Sequence, residues 1–160
     1  MTTLTLNGSE TLVVQESTAD RFQVEATYEP RGSRPPKHVH PHHDESFTVL
    51  AGTLRVGYGT GSDAVERDYS AGDAFDIVRG TVHHMWNPGD QPATVRWLST
   101  PAGRVEPFFT AMDRLHRDGR AGLVGLAGVL NEYRDVMRPA SALTRAVVRV
   151  LGPLSRPAGR

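Results

Sequence analysis

The chain contains no cysteine. Disulfides, thiolate nucleophiles and cysteine-ligated zinc are therefore excluded together. The absence fits a reducing or an oxidising compartment equally. Charge of one sign is not in excess: 18 Lys plus Arg balance 18 Asp plus Glu across 160 residues. No global positive field is available to hold nucleic acid, so no nucleic-acid partner is expected. No window approaches the roughly 18 consecutive apolar residues that span a bilayer. The opening "MTTLTLNGSETLVV" has neither a basic flank nor a continuous apolar stretch, so it does not read as a signal peptide. The default expectation is a cytoplasmic protein. No segment copies the pattern of another, which argues against a repeat architecture. The length suits one domain with some terminal decoration and can enclose a sizeable core.

Short alternating runs fill the first part, residues 1–102. In "RFQVEATYEP", Phe22, Val24, Ala26 and Tyr28 share one face and Arg21, Gln23, Glu25 and Thr27 the other, the pattern of a half-buried strand. "ESFTVLAGTLRVGYGTG" reads as two strands around a turn at Ala51-Gly52, with Leu54, Val56 and Tyr58 alternating on the second arm. "AFDIV", "TVHHMWN" and "ATVRWLS" supply further short strands, separated by turns such as "NPGDQP". Many short strands with Gly, Pro and Asp turns predict a sandwich or barrel.

After Pro101 the period changes. "EPFFTAMDRLHRDG" places Phe108, Met112 and Leu115 at helical spacing, with Gly119 as a stop. "AGLVGLAGVLNEYRDVM" continues as helix, with Pro139 ending it, and "SALTRAVVRVLG" carries an apolar stripe of Leu143, Ala146, Val147, Val150 and Leu151. The expected organisation is a β-barrel over 1–102 and a helical extension over 103–160. The tail from Arg138 carries Arg145, Arg149, Arg156 and Arg160 and no acid. Packing of its stripe on the barrel or a partner subunit, with solvated arginines, is the expectation. Contact with an anionic membrane is the lesser alternative, because the stretch is short and broken at Gly152-Pro153.

The chemistry concentrates in "HVHPHHDESFTVLAG", which holds four of the seven histidines. His38 and His40 share a face if their segment is a strand, and so do Glu45, Phe47 and Val49 on the next arm. A turn through Pro41-His42-His43-Asp44 would bring two imidazoles and a carboxylate together. Neutral imidazole nitrogen and carboxylate oxygen suit one divalent ion of Fe, Mn, Ni, Zn or Cu. A further ligand is available in "GTVHHMWN", where His83 and His84 point to opposite faces. The local pattern does not say which points inward. His42 and His43 are expected to be solvated in the turn, Asp44 to be a surface acid and His116 to be exposed. Tyr28, Phe47, Met85 and Trp97 are candidates to line a pocket, though packing into the core would account for them equally.

Two spaced motifs resemble the cupin superfamily. The first is a glycine, five residues, His-x-His, three or four residues, Glu, six residues and a glycine, matched by Gly32, His38, His40, Glu45 and Gly52. The second is a glycine, five residues, Pro-x-Gly, two residues, His, three residues and Asn, matched by Gly72, Val78, Gly80, His83 and Asn87. Val78 replaces the usual proline, which loosens the turn but removes no ligand. The resemblance implies an all-β, cupin-type double-stranded β-helix (jelly-roll) barrel with a C-terminal helical extension. It selects His83 over His84 and implies metal ligands His38, His40, Glu45 and His83. It further implies a metal-dependent enzyme on a small organic substrate, a dioxygenase first, with a zinc-type isomerase or polyketide cyclase, or a non-catalytic ligand-binding cupin, as alternatives. Exposed sheet edges in such a barrel suggest a homodimer.

Overall fold

The computed structural model describes residues 2–155. Eleven strands run in chain order: β1 (Thr3–Asn7), β2 (Glu10–Ser17), β3 (Phe22–Tyr28), β4 (His38–Val39), β5 (Asp44–Ala51), β6 (Thr53–Tyr58), β7 (Val65–Ser70), β8 (Ala74–Ile77), β9 (His83–Trp86), β10 (Ala93–Thr100) and β11 (Arg138–Pro139). Three helices, α1 (Val105–Arg117), α2 (Leu123–Glu132) and α3 (Ala142–Leu151), lie after the tenth strand. One sheet has the order β1-β2-β3-β10-β5-β8 and the other β11-β4-β9-β6-β7, and all the pairings are antiparallel. The two inner faces enclose the core, the jelly-roll solution to burying two half-apolar sheets.

Side-chain alternation decides which face is inside. Phe22, Val24, Ala26 and Tyr28 on β3 are buried, as are Ala93, Val95, Trp97 and Ser99 on its neighbour β10. Burial of side chains such as Phe22 and Val24 stabilises by about 1.5–3 kcal/mol each. The β5–β6 hairpin turns at Gly52, whose φ is +73°. A Cβ there would also lie 2.5 Å from the Pro92 carbonyl oxygen, so only glycine fits. Asn87 ties the second motif to the sheet. Its Nδ2 donates to Tyr28 O (3.0 Å) and Gln91 O (2.7 Å), and its Oδ1 accepts from Gly89 N (2.8 Å).

The helices share this core. Val105, Phe108, Phe109, Tyr133 and Val136 pack in the same apolar cluster as the strands. The β1 edge is capped from α1, where Asp113 Oδ1 accepts from Thr5 N at 2.9 Å. Gly119, with φ +66°, follows the end of α1. One expectation changes: Pro139 does not end a helix. The second helix stops at Glu132, and Pro139 sits in β11, paired with His38 of β4. The intervening turn spends its backbone on the barrel rather than on continued helix, for the Val136 carbonyl accepts from His40 Nδ1 at 2.9 Å. Arg156 and Arg160 lie outside the described residues. No helix among the described residues is long and apolar enough to cross a membrane.

Candidate metal centre

Pro35-Pro36 leads the chain into β4, and β4 pairs with β9 at His38 opposite His83. This register puts the two imidazoles side by side, with ring centroids 4.4 Å apart. The His40 ring lies 5.0 Å from that of His38 and 5.2 Å from that of His83. Glu45, at the start of β5, enters from the other sheet. Its Oε1 is 3.3 Å from His40 Nε2 and its Oε2 is 3.3 Å from His83 Nε2. One ring nitrogen from each of His38, His40 and His83 lies within 4.8 Å of the others.

The Val78 departure does not shift the register. Gly80 holds the turn with φ +83°, and its N–H donates to His40 O at 2.8 Å. His83 therefore faces Glu45, and His84 faces the other side of the sheet, over Gly57.

Two expectations are corrected, those for His43 and His116. His43 is not solvated: it is 3 % exposed, and its Nε2 is 3.8 Å from Glu45 Oε1. Only His42 is exposed. His84 points away from the cluster yet is buried, because the segment before β4 covers it and its Nδ1 donates to Pro35 O at 2.8 Å. His116 is half-buried rather than exposed. Asp44 is a surface acid, clamped by Arg79 through Nη2–Oδ2 at 2.7 Å and the Arg79 N–H at 2.8 Å. That clamp holds its carboxyl down at about 2.

The cluster has the donor chemistry of a divalent-cation site. The Nδ1 atoms of His38, His40 and His83 face the carbonyls of Pro36 (3.3 Å), Val136 (2.9 Å) and Thr81 (3.0 Å). Each carbonyl fixes the Nδ1–H tautomer and leaves Nε2 as a lone-pair donor. Burial pushes the His38 imidazole well below its usual range and His40 to about 4, so both are neutral at neutral pH. Burial opposes ionisation of Glu45, but His40, His43 and His83 together hold its carboxyl well below the usual range. Both Glu45 oxygens and the Nε2 atoms of His43 and His83 are buried with no hydrogen-bond partner. Such a group costs about 1–3 kcal/mol when left unsatisfied. Four orphaned donors turned on one another fit a metal ion.

The cluster lies in the wall of a cavity of about 300 Å³. Tyr28, Phe47, Met85 and Trp97 all line it, and α1 and α2 contribute Phe108, Phe109 and Leu130. This wall carries two further polar groups, of which only the Trp97 side chain was a candidate in the sequence. Trp97 Nε1 is buried without a partner. Glu10, at the start of β2 and opposite Tyr28 in register, has its carboxyl raised to about 7 by burial, within hydrogen-bonding reach of Tyr28 and Asn7. The Tyr28 phenol is raised further by the same burial and stays protonated.

Residues 24–100 match the cupin domain family. That stretch is a cupin domain, in keeping with the jelly-roll fold. It is 42% identical over 91 residues to germin-like protein 5-1 of Oryza sativa subsp. japonica, covering 56% of this chain and 38% of that one. To germin-like protein subfamily 2 member 1 of Arabidopsis thaliana it is 39% identical over 93 residues, covering 58% and 39%. The match thus spans about two fifths of the length of these curated relatives. A solved double-stranded β-helix protein from Klebsiella pneumoniae is 28% identical, with a TM-score of 0.52 over 59% of this chain and 75% of that chain.

Proposed function

We propose that this protein is a metal-dependent enzyme acting on a small, largely apolar organic molecule, with His38, His40, Glu45 and His83 holding one divalent ion. The observation that carries the reading is the convergence of His38, His40, His83 and Glu45 in the wall of an apolar cavity, with His83 Nε2 and both Glu45 oxygens buried and unpartnered. When bound, the metal supplies a Lewis acid for a substrate oxygen or, if redox-active, an electron route to dioxygen. The chain's own residues do the rest. Three backbone carbonyls hold the imidazole tautomers, and Glu45 stays ionised against its burial. Phe47, Phe108 and Phe109 exclude water, and the Trp97 N–H is available to orient a substrate acceptor. In this reading the helices of 103–160 close the cavity over the barrel of 1–102, and the protein works in the cytoplasm.

Dioxygenase chemistry is the first reading. Isomerase or cyclase chemistry is the second, favoured by Glu10. A carboxyl held near 7 can take and return a proton at neutral pH, which proton-transfer reactions need and dioxygen insertion does not. The test is elemental analysis of untagged protein, paired with oxygen uptake. A redox-active metal with uptake supports the dioxygenase; zinc without uptake supports the second reading. Full metal occupancy in a His38→Ala/His40→Ala variant refutes the ligand assignment itself.

A further inference from the structure

On the outside of the barrel, Arg134, Arg138, Arg145 and Arg149 line a single groove of about 440 Å³. They come from the turn after α2, from β11 and from α3. Among the described residues no carboxylate lines the groove. The neighbouring acids are engaged elsewhere, with Glu132 and Asp135 both on Arg104, at 3.8 Å and 3.1 Å. Two of the arginines are braced by backbone. Arg138 Nε donates to Arg134 O at 2.7 Å, and Arg145 Nη1 donates to Pro139 O and Ala140 O at 3.0 Å and 2.6 Å. The side chains of Arg134 and Arg149 make no hydrogen bond or ion pair among the described residues. The chain as a whole is neutral, so this is a local concentration of positive charge rather than a general excess. Gathering four guanidinium groups without a counter-charge is unfavourable, and an anion relieves it.

The chemistry of the groove narrows the ligand. A guanidinium fork matches phosphate oxygens in pairs, and a dianion answers several forks at once. Beside the arginines, the apolar side chains of Val39, Leu130, Met137 and Val148 also line the groove. The ligand therefore has a charged head and an apolar part beside it.

We propose that this groove binds a phosphate monoester carried on an apolar chain, supplied either as a soluble small molecule or as a lipid headgroup. The groove shares Leu130, Met137 and Pro139 with the wall of the cavity but contains none of the four proposed metal ligands, and its test does not depend on metal. The full chain is titrated calorimetrically with octyl phosphate and, as a control, octanol. Its retention on phosphatidylcholine vesicles with and without phosphatidic acid is measured by sedimentation. Octyl phosphate is expected to bind, more weakly as salt rises, and octanol is not. Arg134→Glu/Arg149→Glu is expected to lower the affinity about tenfold or more. Those side chains hold nothing in the fold, and Arg134→Gln/Arg149→Gln decides the matter if charge reversal disturbs folding. Retention that requires phosphatidic acid identifies a lipid headgroup; binding of octyl phosphate without retention identifies a soluble ligand. Absence of both, or unchanged affinity in the Gln variant, overturns the proposal.

Discussion

His83 and His84 are adjacent, chemically identical and both buried, yet they should fail in different ways when each is replaced by Ala. His83 Nε2 faces Glu45, whereas His84 Nδ1 is bonded to Pro35 O and its ring lies 5.0 Å from Trp86. Zinc held about a hundredfold above its dissociation constant stabilises the folded chain by about 2.7 kcal/mol. Replacing a residue that merely supports a ligand weakens metal binding by about 10–100-fold, so losing a ligand should reach at least the upper end. At the same free zinc the increment then falls to about 0.4 kcal/mol. The lost 2.3 kcal/mol corresponds to roughly 5–9 °C in Tm for a domain of this size. His84→Ala loses a buried hydrogen bond and ring contacts, which costs about 1–3 kcal/mol with or without metal. The assay is Tm in chelator and in buffered zinc, and the readout is the difference between the two. His83→Ala should nearly abolish that difference, while His84→Ala should lower both Tm values and preserve it. Equal losses, or loss in His84→Ala alone, would refute the assigned register.

Glu10→Gln should change the pH dependence of stability. A folded pKa of about 7 against an ordinary 4.5 means that the folded state binds the extra proton between those values. The contribution is fully present below pH 4.5 and lost as pH rises through 7. Relative to wild type in chelator, the Gln variant should therefore gain up to about 3 kcal/mol between pH 4.5 and 8 by denaturant unfolding; a flat difference contradicts the buried-acid assignment. Gly57→Ala places a Cβ 2.4 Å from His84 Nε2 and should destabilise by about 1–3 kcal/mol. Adding His84→Ala should recover part of that loss, and strict additivity of the two would exclude the collision. In sedimentation the protein should run as a homodimer at roughly tens of micromolar, where a moderate interface holds, and a monomer there counts against it.

The parts of the site that were legible in the sequence are those whose geometry is set by covalent spacing. His38 and His40 share a face because two residues is one strand period, and Gly52 is required because the hairpin demands a positive φ. His43 was legible too. Counting back by two from Phe47 and Glu45 lands on it, but its place in a His-rich, Pro-led stretch suggested a turn. Glu10 looks like part of a polar hairpin in "NGSE". Its inward direction depends on being opposite Tyr28, a pairing between strands that no local pattern reports. His84 shows why pointing outward differs from being solvated. Its outer face is covered by Pro35, 49 residues earlier in the chain.

The same reasoning explains the helical segment. Its apolar spacing predicted helices, and helices form, but spacing carries no information about where a helix must stop to serve another element. The 96-residue separation between His40 and Val136 is the clearest case. A carbonyl that would continue a helix instead orients an imidazole of the candidate metal centre, and β11 then pairs with β4 at His38. Two of the four proposed ligands are therefore braced from beyond residue 102. A boundary drawn where strands give way to helices marks a change of element type, while the centre itself is built from both sides of it.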